Sequence, residues 1–225
     1  AYDGVGTDVV TLDLVTALEP HADEYIYFRT DHHWTARGAY YGYRALMSAL
    51  DVTPVPLERY ETTRVEGFVG SVYYQTLVGR LKRRPDTVEI YLPFVKHSYR
   101  TYWRPEGVTK PLIDFSYETD QNKYQIFISS DSPRAVVRCP ESPDRAVAVI
   151  KDSYGNALIP FLLPHYRTIH VIDPRYYEGD LIEYLGMHPV DHVLLINSYA
   201  LIGDAWGYAR NLARIVGTEA PSRGE

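Results

Sequence analysis

A single cysteine, Cys139, stands in this chain of 225 residues, so no disulfide can close within it and no cluster of thiolates can hold a zinc ion. One thiol leaves the compartment open, since a secreted bacterial domain need contain no disulfide. In Arg138-Cys139-Pro140 the thiol has no catalytic partner nearby and reads as structural. No apolar run approaches the ~20 residues that cross a bilayer. No leader pattern is visible either; the chain starts abruptly on Ala-Tyr-Asp-Gly, as a piece of a longer protein does. Basic charge is scarce: the net charge of −6 argues against nucleic acid as a partner, because phosphate binding rests on clustered Lys and Arg. The local run Lys82-Arg83-Arg84 beside Pro85 reads as a solvated loop or, less simply, as an anion site. Phenylalanine is also scarce, six residues against 21 tyrosines. Tyrosine pairs a stacking face with a polar tip, which suits both half-buried strands and carbohydrate surfaces.

What the chain does contain is organised around Thr30-Asp31-His32-His33-Trp34-Thr35. The preceding Glu24-Tyr25-Ile26-Tyr27-Phe28-Arg29 has strand composition. Thr35 can cap a following helix whose apolar positions Ala39, Tyr43, Leu46, Met47 and Leu50 recur at helical spacing. Asp31 and His33 thus sit on a predicted strand-to-helix turn. A serine nucleophile needs an imidazole to take its proton, and that imidazole needs a carboxylate on its other nitrogen. Asp-x-His supplies that pair. A loop histidine packed on Trp34 is the plain alternative, and Asp-His-His could also be a metal fragment. Against metal, adjacent histidines on extended chain diverge, and no Cys cluster is present. His32 reads as a supporting or packing residue.

The nucleophile is sought on a similar turn, and Ser153 in Val147-Ala148-Val149-Ile150-Lys151-Asp152-Ser153-Tyr154-Gly155-Asn156 fits. Four apolar residues read as a buried parallel strand with the serine just beyond its C-terminal end, the edge where ligands collect in open α/β sheets. Gly155 allows close backbone approach, and a helix running from Ala157 to about Leu163 would aim N–H groups at charge developing beside the serine. In the plain alternative, Asp152 and Ser153 merely cap that helix. The Ser153 N–H is an expected oxyanion donor. Asn197, after the strand His192 to Ile196, offers a side-chain donor at the same edge or is a turn residue, and Asn156 belongs to the same class. Arg175 either binds a substrate carboxylate or pairs with Asp173.

In order along the chain, residues 8–14 alternate with period two and predict a strand, followed by a short helix ending near Glu19-Pro20. Pro54 and Pro56 then break the pattern. Residues 57–144 read as a β-rich insertion or cap, with strands at 88–92, 113–117, 123–128 and 135–138 and no flexible linker to make it separate. From Ser153 on, a helix to Leu163, strands at 168–172 and 192–196, and helices at 178–187 and 204–216 alternate. This is the pattern of βαβ units, a parallel sheet with helices on both faces. Residues 1–216 therefore read as one α/β domain, with 217–225 a flexible tail.

The Asp-His-His-Trp tetrad, the run Lys151 to Ala157 and Ile172-Asp173-Pro174-Arg175-Tyr176-Tyr177 resemble the DHHW family of bacterial cell-surface proteins. That family is related to the alginate O-acetyltransferases and so to the SGNH hydrolase superfamily, where the acetyltransferases place Asp-x-His-Trp before the serine, as here. The resemblance implies a three-layer SGNH hydrolase-like sheet and a triad of Asp31, His33 and Ser153. It also implies a serine-dependent O-acyltransferase or acylesterase acting on a cell-surface or exopolysaccharide through an acyl-serine. No metal or organic cofactor is then required. The partners are a polysaccharide acceptor and an acyl donor, for which a membrane-bound acyltransferase is one source. The expected location is extracytoplasmic, with an anchor or signal ahead of residue 1. Gly67-Phe68-Val69-Gly70-Ser71 resembles a turn that relatives place near the active site, so Gly70 is a second oxyanion candidate or an ordinary loop glycine. Ser129-Ser130-Asp131 departs from the glycine-rich stretch of relatives. That departure, with the tyrosines, keeps open a catalytically inactive carbohydrate-binding or assembly protein on the same fold.

Overall fold

A computed structural model describes residues 9–198 and 207–218. The chain forms two compact units, Ala1–Tyr91 and Leu92–Glu225.

In the first unit the described part of 8–14 is not a strand. Asp13 instead starts a helix, α1 (Leu14–Leu18), by accepting the Val15 and Thr16 N–H groups at 3.1 and 3.2 Å, a capping role that outweighs the alternation. A 3₁₀ turn at Glu19–His21 follows, as Pro20 leads one to expect. Residues 24–29 do not pair as a strand either: a single bridge joins Tyr27 to Trp34. Their burial alternates, Ile26 and Phe28 inside, Tyr25 and Tyr27 outside, so the pattern is real but no neighbouring strand receives it. α2 (Ala36–Ala49) is capped as expected by Thr35, whose Oγ1 accepts the Gly38 N–H at 3.2 Å. It buries Ala39, Tyr43, Leu46 and Met47, while Leu50 is half-buried. β1 (Glu61–Phe68) and β2 (Asp86–Leu92) form a two-stranded sheet, with α3 (Ser71–Thr76) and α4 (Gly79–Lys82) between them in sequence. Lys82, Arg83 and Arg84 are exposed where α4 ends.

The second unit holds a six-stranded sheet built from β3 (Ser98–Thr101), β4 (Val108–Lys110), β5 (Arg134–Arg138), β6 (Ala146–Lys151), β7 (Thr168–Ile172) and β8 (His192–Ile196). The spatial order is β4-β3-β5-β7-β6-β8. β6 pairs in parallel with β7 and β8, whereas β5 meets β7, and β3 meets β4 and β5, antiparallel. The expected parallel sheet is therefore a mixed one. The strands at 135–138, 168–172 and 192–196 stand as read, but 113–117 and 123–128 do not. There Asp114 caps a 3₁₀ turn at Phe115–Thr119, a second turn spans Lys123–Ile126, and an isolated bridge joins Ile113 to Phe127. Consecutive residues Ile126, Phe127 and Ile128 are all buried, so the apolar run packs a turn.

β6 lies between β7 and the edge strand β8 and is covered on both faces. Ala148 and Ile150 pack with Ile172, Leu181, Tyr184 and Ile215 of α6 (Leu181–Met187), β7 and α7 (Tyr208–Ile215), while Val147 and Val149 on the opposite face are equally inaccessible. The helix expected from Ala157 is reduced to a 3₁₀ turn at Ser153–Ala157 and a four-residue α5 (Ile159–Leu162). α6 begins later than expected, capped by Asp180. Residues 204–206 of the expected last helix, and 219–225 of the expected tail, lie outside the described residues. Cys139 is buried, and burial pushes its thiol up to about 12. Among the described residues no helix is long and apolar enough to cross a membrane.

Candidate active site

In the first unit, Asp86 at the start of β2 has no solvent exposure and fixes the approach to the Asp-His-His-Trp turn. Its carboxylate accepts the Thr30 N–H at 2.7 Å, the Thr30 hydroxyl at 2.6 Å, the Arg29 N–H and Nε at 3.1 Å, and the Tyr25 hydroxyl. A buried carboxylate with this many donors is held in one place. It thereby sets the residue before Asp31. Asp31 and His33 are themselves 6% and 5% exposed. Asp31 Oδ1 lies 2.5 Å from His33 Nδ1 and accepts the His33 N–H at 3.0 Å, while Oδ2 accepts the Ser71 N–H at 2.8 Å. Burial pushes the Asp31 carboxyl up, but the His33 ring and the Ser71 N–H outweigh it and hold the group well below the usual carboxylate range.

His32 and His33 do not diverge as expected of neighbours on extended chain. The bend turns both rings to one side, centroids 3.9 Å apart and tilted by 37°, and His32 Nδ1 lies 2.6 Å from Ser71 Oγ. Atoms of Asp31, His32 and His33 able to bind a metal fall within 4.8 Å of one another. Gly70 is required for packing: a Cβ there would stand 2.2 Å from the Asp31 Cβ and 2.5 Å from its Oδ2. Its N–H is given to Thr30 Oγ1 at 2.9 Å. The oxyanion role expected for that N–H is thus replaced by a structural one.

In the second unit, Ser153 is half-buried and stands two residues past the end of β6. Asp152 Oδ1 accepts the Tyr154 N–H and Oδ2 accepts the Ser198 N–H, each at 2.9 Å. α5, at four residues, is too short to contribute the helix field expected beside the serine. Beneath the turn lies a charged cluster that sequence reading missed. Lys151, wholly buried, places Nζ 2.7 Å from Asp131 Oδ1 and 3.2 Å from Asp173 Oδ2. Arg175 binds Asp131 at 2.9 Å and Asp173 at 2.9 and 2.6 Å. Asn156 donates to Asp131 at 2.9 Å. Burial pushes the Asp131 carboxyl up, but Lys151 and Arg175 hold it far below its ordinary range.

A sequence profile of the DHHW proteins matches residues 2–172. The chain belongs to the DHHW family. Its fold is similar to that of a DHHW family protein from Eubacterium siraeum, with 29% identity, a TM-score of 0.81, and 96% of this chain and 71% of that one covered. It is also similar to Bacillus cereus PatB1, at 22% identity and TM-score 0.72 over 88% of this chain and 72% of that one. A second structure of PatB1, with a sulfonyl adduct, matches at 20% identity and TM-score 0.67 over 86% and 67%. No curated protein matches the chain.

The tetrad that gives the DHHW family its name is Asp31-His32-His33-Trp34 here. Of the other expected site residues, Arg175 takes the structural alternative, paired with Asp173 and Asp131. Asn156 turns its amide donor to Asp131 instead of toward an oxyanion. Its Oδ1, and that of Asn197, are buried and meet no hydrogen-bond donor among the described residues. The missed Asp131 carried one readable signal: a lysine closing an otherwise apolar buried strand has to meet acid, and Asp173 holds the corresponding place after the adjacent strand.

Proposed function

We propose that this DHHW protein is a serine-dependent O-acyltransferase or acylesterase of cell-surface polysaccharide, with Ser153 as nucleophile, His33 as base and Asp31 as its orienting acid. The observation that carries this reading is the buried Asp31–His33 pair at 2.5 Å. With Nδ1 committed to a carboxylate, the ring proton resides there and Nε2 holds the lone pair that takes a proton. In the reaction, a bond forms between Ser153 Oγ and the acyl carbon as the serine proton passes to His33. The bond from that carbon to the donor breaks, and the leaving group takes the proton. A sugar hydroxyl or water then attacks the acyl-serine by the same steps in reverse roles. Oxyanion donors contribute about 10²- to 10³-fold in such a reaction.

The reading treats residues 1–216 as one SGNH hydrolase-like domain, with the mixed sheet as its core and a donor and acceptor met outside the cytoplasm. Incubation with 4-nitrophenyl acetate, followed by peptide mass spectrometry, is expected to place one acetyl group on Ser153 and none in Ser153→Ala or His33→Ala. The PatB1 structure with a sulfonyl adduct makes phenylmethylsulfonyl fluoride a second probe. Failure of the wild type to be labelled by either reagent, or by a panel of activated esters, sinks the nucleophile and leaves the carbohydrate-binding alternative.

A further inference from the structure

Within the second unit a groove of about 560 Å³ is lined by Trp103, Arg175, Tyr176, Glu178, Asn211 and Arg214. Trp103 is 64% exposed and Tyr176 41%, with ring centroids 5.7 Å apart and planes at 52°. Scattered exposed apolar residues need no explanation, but two touching aromatic rings beside hydrogen-bonding side chains make a recognition surface. Glu178 and Asn211 make no side-chain hydrogen bond among the described residues, so a carboxylate and an amide line the groove beside the rings.

We infer that this groove binds a pyranoside of the acceptor glycan, the C–H face of one sugar lying on Trp103 and Tyr176 and its hydroxyls meeting Glu178 and Asn211. Two rings inclined at 52° form an angled wall. That shape can receive the C–H face of a puckered ring. The Tyr176 side of the wall is fixed before any ligand arrives. The Tyr176 and Tyr177 N–H groups both donate to Asp173 O, and the Arg175 guanidinium, held by Asp131 and Asp173, lies 5.2 Å from the Tyr176 ring centroid. Arg214 donates to Tyr177 O at 2.6 Å, tying α7 to the same turn. Preorganisation of this kind lowers the entropy lost on binding. The charge of Arg175 is met by Asp131 and Asp173, and Glu178 balances that of Arg214, so the groove holds no surplus positive charge for a uronate and suits neutral or amino sugars.

The groove also opens at the edge of the sheet that carries Ser153. Tyr176 follows β7 and Ser153 follows β6, strands that are neighbours and parallel, and Arg175 meets Asn156 through Asp131. The role as acceptor site rests on the acyl-transfer reading, whereas binding itself does not.

Isothermal titration of the full chain with cellohexaose, chitohexaose and hexagalacturonate tests it. Cellohexaose or chitohexaose is expected to bind tighter than hexagalacturonate. Trp103→Ala should weaken binding at least tenfold, Tyr176→Ala several-fold, and Trp103→Phe should restore most of the loss, each variant keeping the far-ultraviolet circular dichroism of the wild type. Absence of binding by all three sugars, equal binding by Trp103→Ala, or preference for hexagalacturonate overturns the inference. The labelling of Ser153 is a separate measurement, so Trp103-dependent binding without an acyl-serine would remove the acceptor role and keep the sugar site.

Discussion

Lys151 Nζ, on a side chain with no solvent exposure, lies 2.7 Å from a carboxylate oxygen of Asp131. A lysine closing β6 is thereby compensated by an acid delivered from a loop in which Ile128, Ser129 and Ser130 all adopt positive φ, 52°, 49° and 75°. Three such residues in succession cost of order 1–3 kcal/mol each. They are held by Ser129 Oγ donating to Pro111 O at 2.6 Å, the Ser130 N–H donating to Gln125 O at 2.9 Å, and Tyr99 donating to Ile128 O at 2.8 Å.

Lys151→Met keeps the volume of the side chain and leaves Arg175 alone against Asp131 and Asp173, so that one buried negative charge loses its counterion. Removing one partner of a buried pair costs about 3–5 kcal/mol, and urea unfolding at neutral pH should show a loss of that size. Restoring neutrality with Asp131→Asn in the Lys151→Met background should recover part of it. A loss under 1 kcal/mol in Lys151→Met would mean the cluster is not the support of the Ser153 turn described above.

The Asp31 carboxyl is held below its ordinary range by His33 and the Ser71 N–H against the opposing effect of burial. A folded value below the unfolded one, about 3.9, gives stability that is complete above the unfolded value. It is lost as pH falls through the folded one. Urea midpoints measured from pH 5 down to pH 2 should therefore drop more steeply for the wild type than for Asp31→Asn, in which the titrating group is gone. The two curves should converge at low pH. Parallel curves would remove Asp31 as a linked group.

Gly70→Ala brings a methyl group against the Asp31 side chain, where a Cβ would stand 2.2 Å from Asp31 Cβ. Overpacking costs about 1–3 kcal/mol. Because the obstacle is the acid that orients His33, acyl-serine formation should fall by more than tenfold even at temperatures where the variant stays folded. Wild-type labelling kinetics in Gly70→Ala would show that Asp31 can shift without consequence.

Much of this was legible in the chain. β6, β7 and β8 are short apolar runs bounded by turn residues, and composition alone describes them, although β8 lies at the sheet edge with Val193 and Leu195 exposed. Thr35 as a cap is equally local, since its hydroxyl and the helix it starts are adjacent in sequence. Where reading failed, a partner far along the chain decided. Residues 24–29 alternate as a strand does, but what fixes them is Asp86, which gathers Arg29, Thr30 and Tyr25 from 56 or more positions away. Asp131 likewise gains its meaning from Lys151, Asn156 and Arg175. The antiparallel half of the sheet escaped notice because β3 and β4 are four and three residues long, too short to show a period.

Asp152 bears on where the acid for any serine chemistry must come from. It sits directly beside Ser153, yet one of its oxygens is occupied by the Tyr154 N–H and the other by the Ser198 N–H. It acts as a rivet between the exits of two parallel strands, its negative charge absorbed by peptide groups. With both oxygens turned to the strand exits Asp152 serves the backbone around Ser153, and the acid that does meet an imidazole, Asp31, comes from a remote part of the polypeptide.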